Sequence, residues 1–247
     1  MTDDTIARRN FLLGAGTAVA AGLAPLAEPT QAPAAQPPPA PAAAAPAPSE
    51  PLLTLSATEA AFLSAVADTM IPADELSPSG SECGVVVFID RQLAGAYGAG
   101  AKTYRNGPFR RGKPEQGYQL ALTPREYFAT GIVAANEWTR KTYGKEFDRL
   151  SAGERTAALA AMERGTAEFE NFSAHAFFGR LHAIVMEGFF SDPMHGGNRN
   201  KAGWIMLGFP GLPATYADKV DAYFDKRYVA PPQSIADFSG RGRWPRG

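Results

Sequence analysis

The chain has 247 residues, 45% of them apolar, enough for one sizeable domain with appendages. Its formal net charge of -1 supplies no basic surface for phosphate backbones, which excludes nucleic acid as a partner. The single cysteine, Cys83, excludes an internal disulfide framework, a cysteine-rich zinc site, an iron-sulfur cluster bound by this chain alone and a C-x-x-C-H haem attachment. That thiol is either a buried small hydrophobe or the partner of a cysteine on another chain.

Residues 1–27 read as an address. Arg8 and Arg9 stand one residue before Phe11 and Leu12, at the head of a mild apolar run that extends to Ala24, the pattern of a twin-arginine signal. Gly14, Gly16 and Gly22 make that run too weak for a membrane-spanning helix, which needs about 20 strongly apolar residues. Export by this route carries proteins that are already folded, commonly because a cofactor was inserted first. Residues 28–51 then collapse to Ala and Pro, a composition that cannot build a core and that favours an extended, polyproline-like spacer. At ~3.1 Å per residue it would reach on the order of 70 Å.

Residues 52–247 read as one helical domain. Ser56 and Glu59 form a capping box ahead of Leu63, Val66, Ala67 and Met70, and this predicts a helix that stops before Pro72. The stretch from Gly84 to Tyr97 is rich in strand formers, Val85 to Ile89, but Val86, Ile89, Leu93 and Tyr97 hold one helical face. That shared face makes helix the reading here. Thr123, Pro124 and Glu126 supply an N-cap, a proline at the first helical position and the reciprocal acid. Ser151 and Glu154 repeat the box. Phe178, Leu181, Val185 and Phe189 stripe a further helix that Asp192-Pro193 ends, and a last helix is expected over Tyr216 to Phe224. Long Gly- and Pro-rich connections, 77–84, 98–122 and 191–213, separate these elements. The fold class expected is all-α, a single helical domain with extended surface loops.

Candidate chemistry is sparse. Gly98 to Thr103 resembles the end of a phosphate-binding loop, but Ala101 stands where a glycine must precede the lysine. His175 and His182, seven apart, share a helical face, and with His195 they are the one group that suggests a metal or ligand site. No G-x-S-x-G elbow is present, and Cys83 has no local base to activate it. No catalytic, cofactor-binding or metal-binding residue is therefore expected, the histidine group being the rival reading. The phenylalanines Phe169, Phe172, Phe177, Phe178, Phe189 and Phe190 exceed what one helix face needs, so they either fill the core or face another chain.

The densest segment runs from Gly188 to Gly211. Asp192-Pro193 and Gly196-Gly197-Asn198 force tight turns, and Gly203-Trp204 and Phe209-Pro210-Gly211 bring large rings against glycines. This G-F-x-S-D-P-x-x-G-G-N run with the following G-W and F-P-G resembles the gluconate 2-dehydrogenase subunit 3 family. The Ala67 to Pro72 segment, the Ile89 to Leu93 helix and the twin-arginine leader extend the resemblance; the Ala/Pro spacer is longer than the family pattern requires. The resemblance implies a small accessory subunit of a periplasmic, flavin-dependent sugar or sugar-acid dehydrogenase. It implies a partner of the glucose/methanol/choline oxidoreductase type, often with a multihaem cytochrome c that anchors the complex to the membrane. FAD and haem c would sit on those partners, with the small subunit supplying the export signal to the twin-arginine translocation machinery and supporting maturation of the large one. Asp192, Pro193, Gly196, Gly197, Asn198, Gly203, Trp204, Phe209, Pro210 and Gly211 are the candidate partner-contact residues.

Overall fold

The computed structural model describes residues 50–103, 106–110, 112–113, 120–212 and 215–238. The twin-arginine pair Arg8-Arg9, Phe11, Leu12 and the spacer as far as Ser49 lie outside the described residues. The fold is all-α: among the described residues six α-helices carry the structure, and the one β-bridge joins Gly211 to Gln233.

Helix α1, Ala57–Met70, begins with the reciprocal Ser56–Glu59 box, and Phe62, Leu63, Val66 and Ala67 bury its inner face. Helix α2, Val85–Ala94, buries Val85, Val86, Phe88, Ile89, Asp90 and Leu93. Those residues cover more than one face, so the β-branched run marks a helix enclosed by its neighbours and not a strand. It ends at Gly95, short of the expected Tyr97, because Gly95 turns to extended backbone and the Gly98 amide reaches back to the Gln92 carbonyl at 3.1 Å. Tyr97 is left largely exposed.

Helix α3, Pro124–Tyr143, carries the Thr123–Glu126 box and stops at Gly144. Asn136, buried on it, accepts the Phe147 amide at 3.1 Å and so fixes the turn into helix α4, Ala152–Arg164, which opens on the Ser151–Glu154 box. Helix α5, Ala174–Phe190, is the central element: it packs against α2, α3 and α4, and against the short helix α6, Ala202–Leu207.

Leu181, Val185 and Phe189 of the expected stripe on α5 are buried, but Phe178 is only partly so and Phe177 is fully buried beside it. Gly131 on α3 decides this. A Cβ there would stand 2.3 Å from the Phe177 ring, so the absence of a side chain admits the ring between the two helices. Phe177 then stands within 6.0–6.4 Å of the rings of Phe62, Tyr127, Phe128, Phe169 and Phe172, and Phe62 adds Phe147 at 5.0 Å. The excess phenylalanines thus fill the core or lean on it: Phe189 is buried, and Phe169, Phe172, Phe178 and Phe190 pack against it.

Two expectations need correction. Residues 216–224 form a succession of hydrogen-bonded turns and no helix, with Lys219 bonded to the Tyr216 carbonyl and Tyr223 to that of Lys219. Most of that stretch is exposed, and without an apolar face to bury, helical propensity does not suffice. The connection after Ser191 is not an extended loop either, because the turns Pro193–His195 and Arg199–Lys201 and helix α6 follow one another within it.

Candidate functional site: the Asp192–Gly211 segment

This segment is built from side chains that serve backbone. One Asp192 carboxylate oxygen accepts the Met194 amide at 2.9 Å and opens the Pro193–His195 turn; the other accepts the Ile235 amide at 2.8 Å, tying in the short helical turn Ile235–Asp237. Gly196 closes that turn with its amide on the Pro193 carbonyl. Gly197 lies flat on the end of α5, where a Cβ would come within 2.1 Å of the Gly188 carbonyl oxygen, an approach no other residue permits.

Asn198 is fully buried, with left-handed backbone, and both ends of its amide are used. Its Oδ1 accepts the Gly203 amide and its Nδ2 donates to the Ser191 carbonyl, each at 2.8 Å. Asparagine tolerates that backbone better than other side chains, and here it also closes the loop on itself. Trp204 on α6 donates from Nε1 to the Phe190 carbonyl at 2.8 Å and meets Phe209 edge to face at 5.4 Å. Pro210 accepts the Gln233 amide at 2.9 Å, and Gln233 returns its carbonyl to Leu212 beside the Gly211 bridge.

The segment also grips the start of the domain. The Arg199 amide donates to the Cys83 carbonyl at 2.9 Å, and the Arg199 guanidinium lies 3.5 Å from Glu50, whose other oxygen pairs with Arg91. On α2, the Asp90 carboxylate, 1% exposed, accepts the amides of Leu53, Thr54 and Leu55 at 2.6, 2.9 and 2.9 Å. Asp90, Arg91 and Arg199 were not singled out by sequence reasoning. A charge inside an otherwise apolar helical run was the available signal for Asp90.

All ten candidate residues of the segment are thus brought together in one folded clasp. Asn198 and Trp204 are buried, while Met194, Ile205, Leu207 and Phe209 are exposed.

The histidines do not converge. His175 bonds through Nδ1 to the Glu163 carbonyl, His182 stacks on Phe178 at 6.1 Å, and His195 ends the turn after Asp192. Among the described residues no three His, Cys, Asp or Glu side chains are grouped so as to hold a metal ion, so the rival site is not assembled. Gly98 to Thr103 runs through turns, and among the described residues no helix follows it before Pro124. Cys83 is buried at 1% exposure with its thiol on the Pro78 carbonyl. Burial, with Glu82 nearby, pushes that thiol up to about 11.

Fold and segment together define a small all-helical domain whose most elaborate stretch, Asp192 to Gly211, uses its side chains to secure backbone. The family model for gluconate 2-dehydrogenase subunit 3 matches residues 57–211, from the first residue of α1 to the bridge at Gly211. The chain belongs to the gluconate 2-dehydrogenase subunit 3 family, and so to the subunits of a dehydrogenase complex that has a catalytic partner. No curated protein and no solved structure gives a significant match.

Proposed function

We propose that the chain is the accessory subunit of a periplasmic, flavin-dependent sugar or sugar-acid dehydrogenase, and that it supports export and maturation of a catalytic flavoprotein of the glucose/methanol/choline type. The observation that carries this reading is the family match over residues 57–211, with the Asp192–Gly211 segment inside it. In this reading residues 1–27 address the chain to the twin-arginine translocation machinery, residues 28–51 form a tether, and residues 52–247 form the domain that accompanies the folded partner. In this reading membrane attachment belongs to partner subunits, among them a multihaem cytochrome c; no helix among the described residues is long and apolar enough to cross a membrane.

Residue chemistry supports placing the cofactors on partners. Covalent haem needs two thiols, and the chain has one, buried beneath Pro78. A dinucleotide needs a glycine-rich turn that opens a helix, and residues 98–103 do not open one. FAD and haem c, when bound on those partners, supply the hydride and electron chemistry.

The test is a pull-down of the tagged chain from native periplasm and membranes, with an absorption spectrum of what co-purifies. A stoichiometric flavoprotein, with or without haem bands, is the expected result. A colourless monomer would overturn the proposal.

A further inference from the structure

The end of the Asp192–Gly211 segment is paired with the chain's own residues 229–238. The Gln233 amide donates to the Pro210 carbonyl and the Gln233 carbonyl accepts the Leu212 amide, each at 2.9 Å, with a parallel bridge to Gly211. Two residues on, the Ile235 amide reaches the Asp192 carboxylate at 2.8 Å, and Asp237 pairs with Lys201 at 2.7 Å. Asp192, Pro210 and Gly211, all candidate partner contacts, are therefore already engaged from within the chain. The strap that engages them lies outside the residues the family model matches, 57–211.

These ties are hydrogen bonds and an ion pair, and the strap buries little along with them. Ser234 is its one buried side chain, and after Trp204 no apolar side chain among the described residues is buried. Lys201 and Asp237 are 23% and 41% exposed, so water competes for their pair. A segment held in this way surrenders little hydrophobic stabilisation when it leaves and exchanges its hydrogen bonds for water, so it opens well before the helical core does. Opening bares the Asp192 carboxylate, the Lys201 ammonium, the Pro210 carbonyl and the Leu212 amide. The strap itself shows what fits there. Gln233 both donates and accepts, Ser234 is extended, and the turn that follows brings an amide to Asp192 and a carboxylate to Lys201. Recognition of this kind is strand addition, in which backbone hydrogen bonds supply the affinity and the charged contact supplies selection.

We propose that residues 229–238 are a displaceable strap, and that the edge beneath them, residues 210–212 with Asp192 and Lys201, takes an extended, carboxylate-bearing segment of another chain. The inference rests on the hydrogen bonding of this chain and goes beyond its assignment to a dehydrogenase complex, so its tests need no flavoprotein.

Amide hydrogen exchange of the full chain, read by NMR and corrected for intrinsic rates, tests the opening. The amides of Leu212, Gln233 and Ile235 should exchange on the order of 100-fold faster than those of Leu181 and Val185 in α5. Docking is tested on full-length Asp237→Lys, in which Lys201 meets a second cation, with a synthetic peptide of residues 229–238 added in large excess. The peptide should slow exchange at Leu212, and a peptide carrying lysine in place of its aspartate should not. Unchanged protection of Leu181 and Val185 in the variant reports an intact core, so loss of folding is distinguished from release of the strap. Wild-type amides at 212, 233 and 235 as slow as those of α5 would overturn the displaceable strap. No slowing at Leu212 by the peptide, or equal slowing by both peptides, would overturn the docking edge.

Discussion

Asp90→Ala is the most informative perturbation of the domain. The carboxylate is buried and accepts three consecutive amides, those of Leu53, Thr54 and Leu55, and it is the main device fixing residues 53–55 to α2. Hydrogen bonds to a charged acceptor contribute about 1.5–3 kcal/mol each, but the three share one group and Leu53 is exposed enough to rehydrate, so a loss of about 2–4 kcal/mol is expected. For a domain of this size that corresponds to a fall in Tm of roughly 5–15 °C. The neighbouring Glu50–Arg91 pair is 39% exposed on both sides, so Glu50→Ala should cost less than about 1 kcal/mol and serves as the control. Calorimetry gives the stability change, and hydrogen exchange at the amides of residues 53–55 gives its location. A loss below about 1 kcal/mol for Asp90→Ala, or unchanged protection of those amides, would refute the reasoning.

Two further predictions concern the clasp and the thiol. Asn198→Ala strands the Gly203 amide and the Ser191 carbonyl and places alanine in left-handed backbone, with an expected cost of about 2–4 kcal/mol by urea unfolding. Cys83 should resist thiol reagents at pH 8 in the native protein and react on unfolding. Because its folded value is raised to about 11 from 9.0, the unfolded state releases its proton first; the contribution to stability is present below pH 9 and is lost as the pH rises from 9 to about 11. Urea titrations of wild type and Cys83→Ala across that range read the difference directly.

Much of the fold is legible in the sequence where the determinants are local. Ser56 with Glu59, Thr123 with Glu126 and Ser151 with Glu154 all form the boxes expected, since a cap needs only four consecutive residues. What depends on a distant partner is not legible. The place of the Phe177 ring follows from Gly131, more than forty residues upstream, and Asp90 finds its amides 35 to 37 residues away. The turns at 216–224 carry helical spacing with nothing for it to pack on. In the Asp192–Gly211 segment the tight turns could be read from Pro193, Gly196 and Gly197. Its anchorage to Gln233 and Ile235 could not, because hydrogen bonds between backbones leave no trace in side-chain pattern.

The Phe177 ring has a consequence for how this sequence can change over time. Five other rings, from α1, α3 and the turn before α5, rest within 6.4 Å of it, and it occupies room that only the bare Cα of Gly131 leaves. A larger residue at 131 displaces Phe177, and a smaller one at 177 leaves five neighbours facing a void. Relatives that drift at one of these positions should therefore drift at the others as a set, and positions 62, 127, 128, 131, 169, 172 and 177 should covary more strongly than their separation along the chain would suggest.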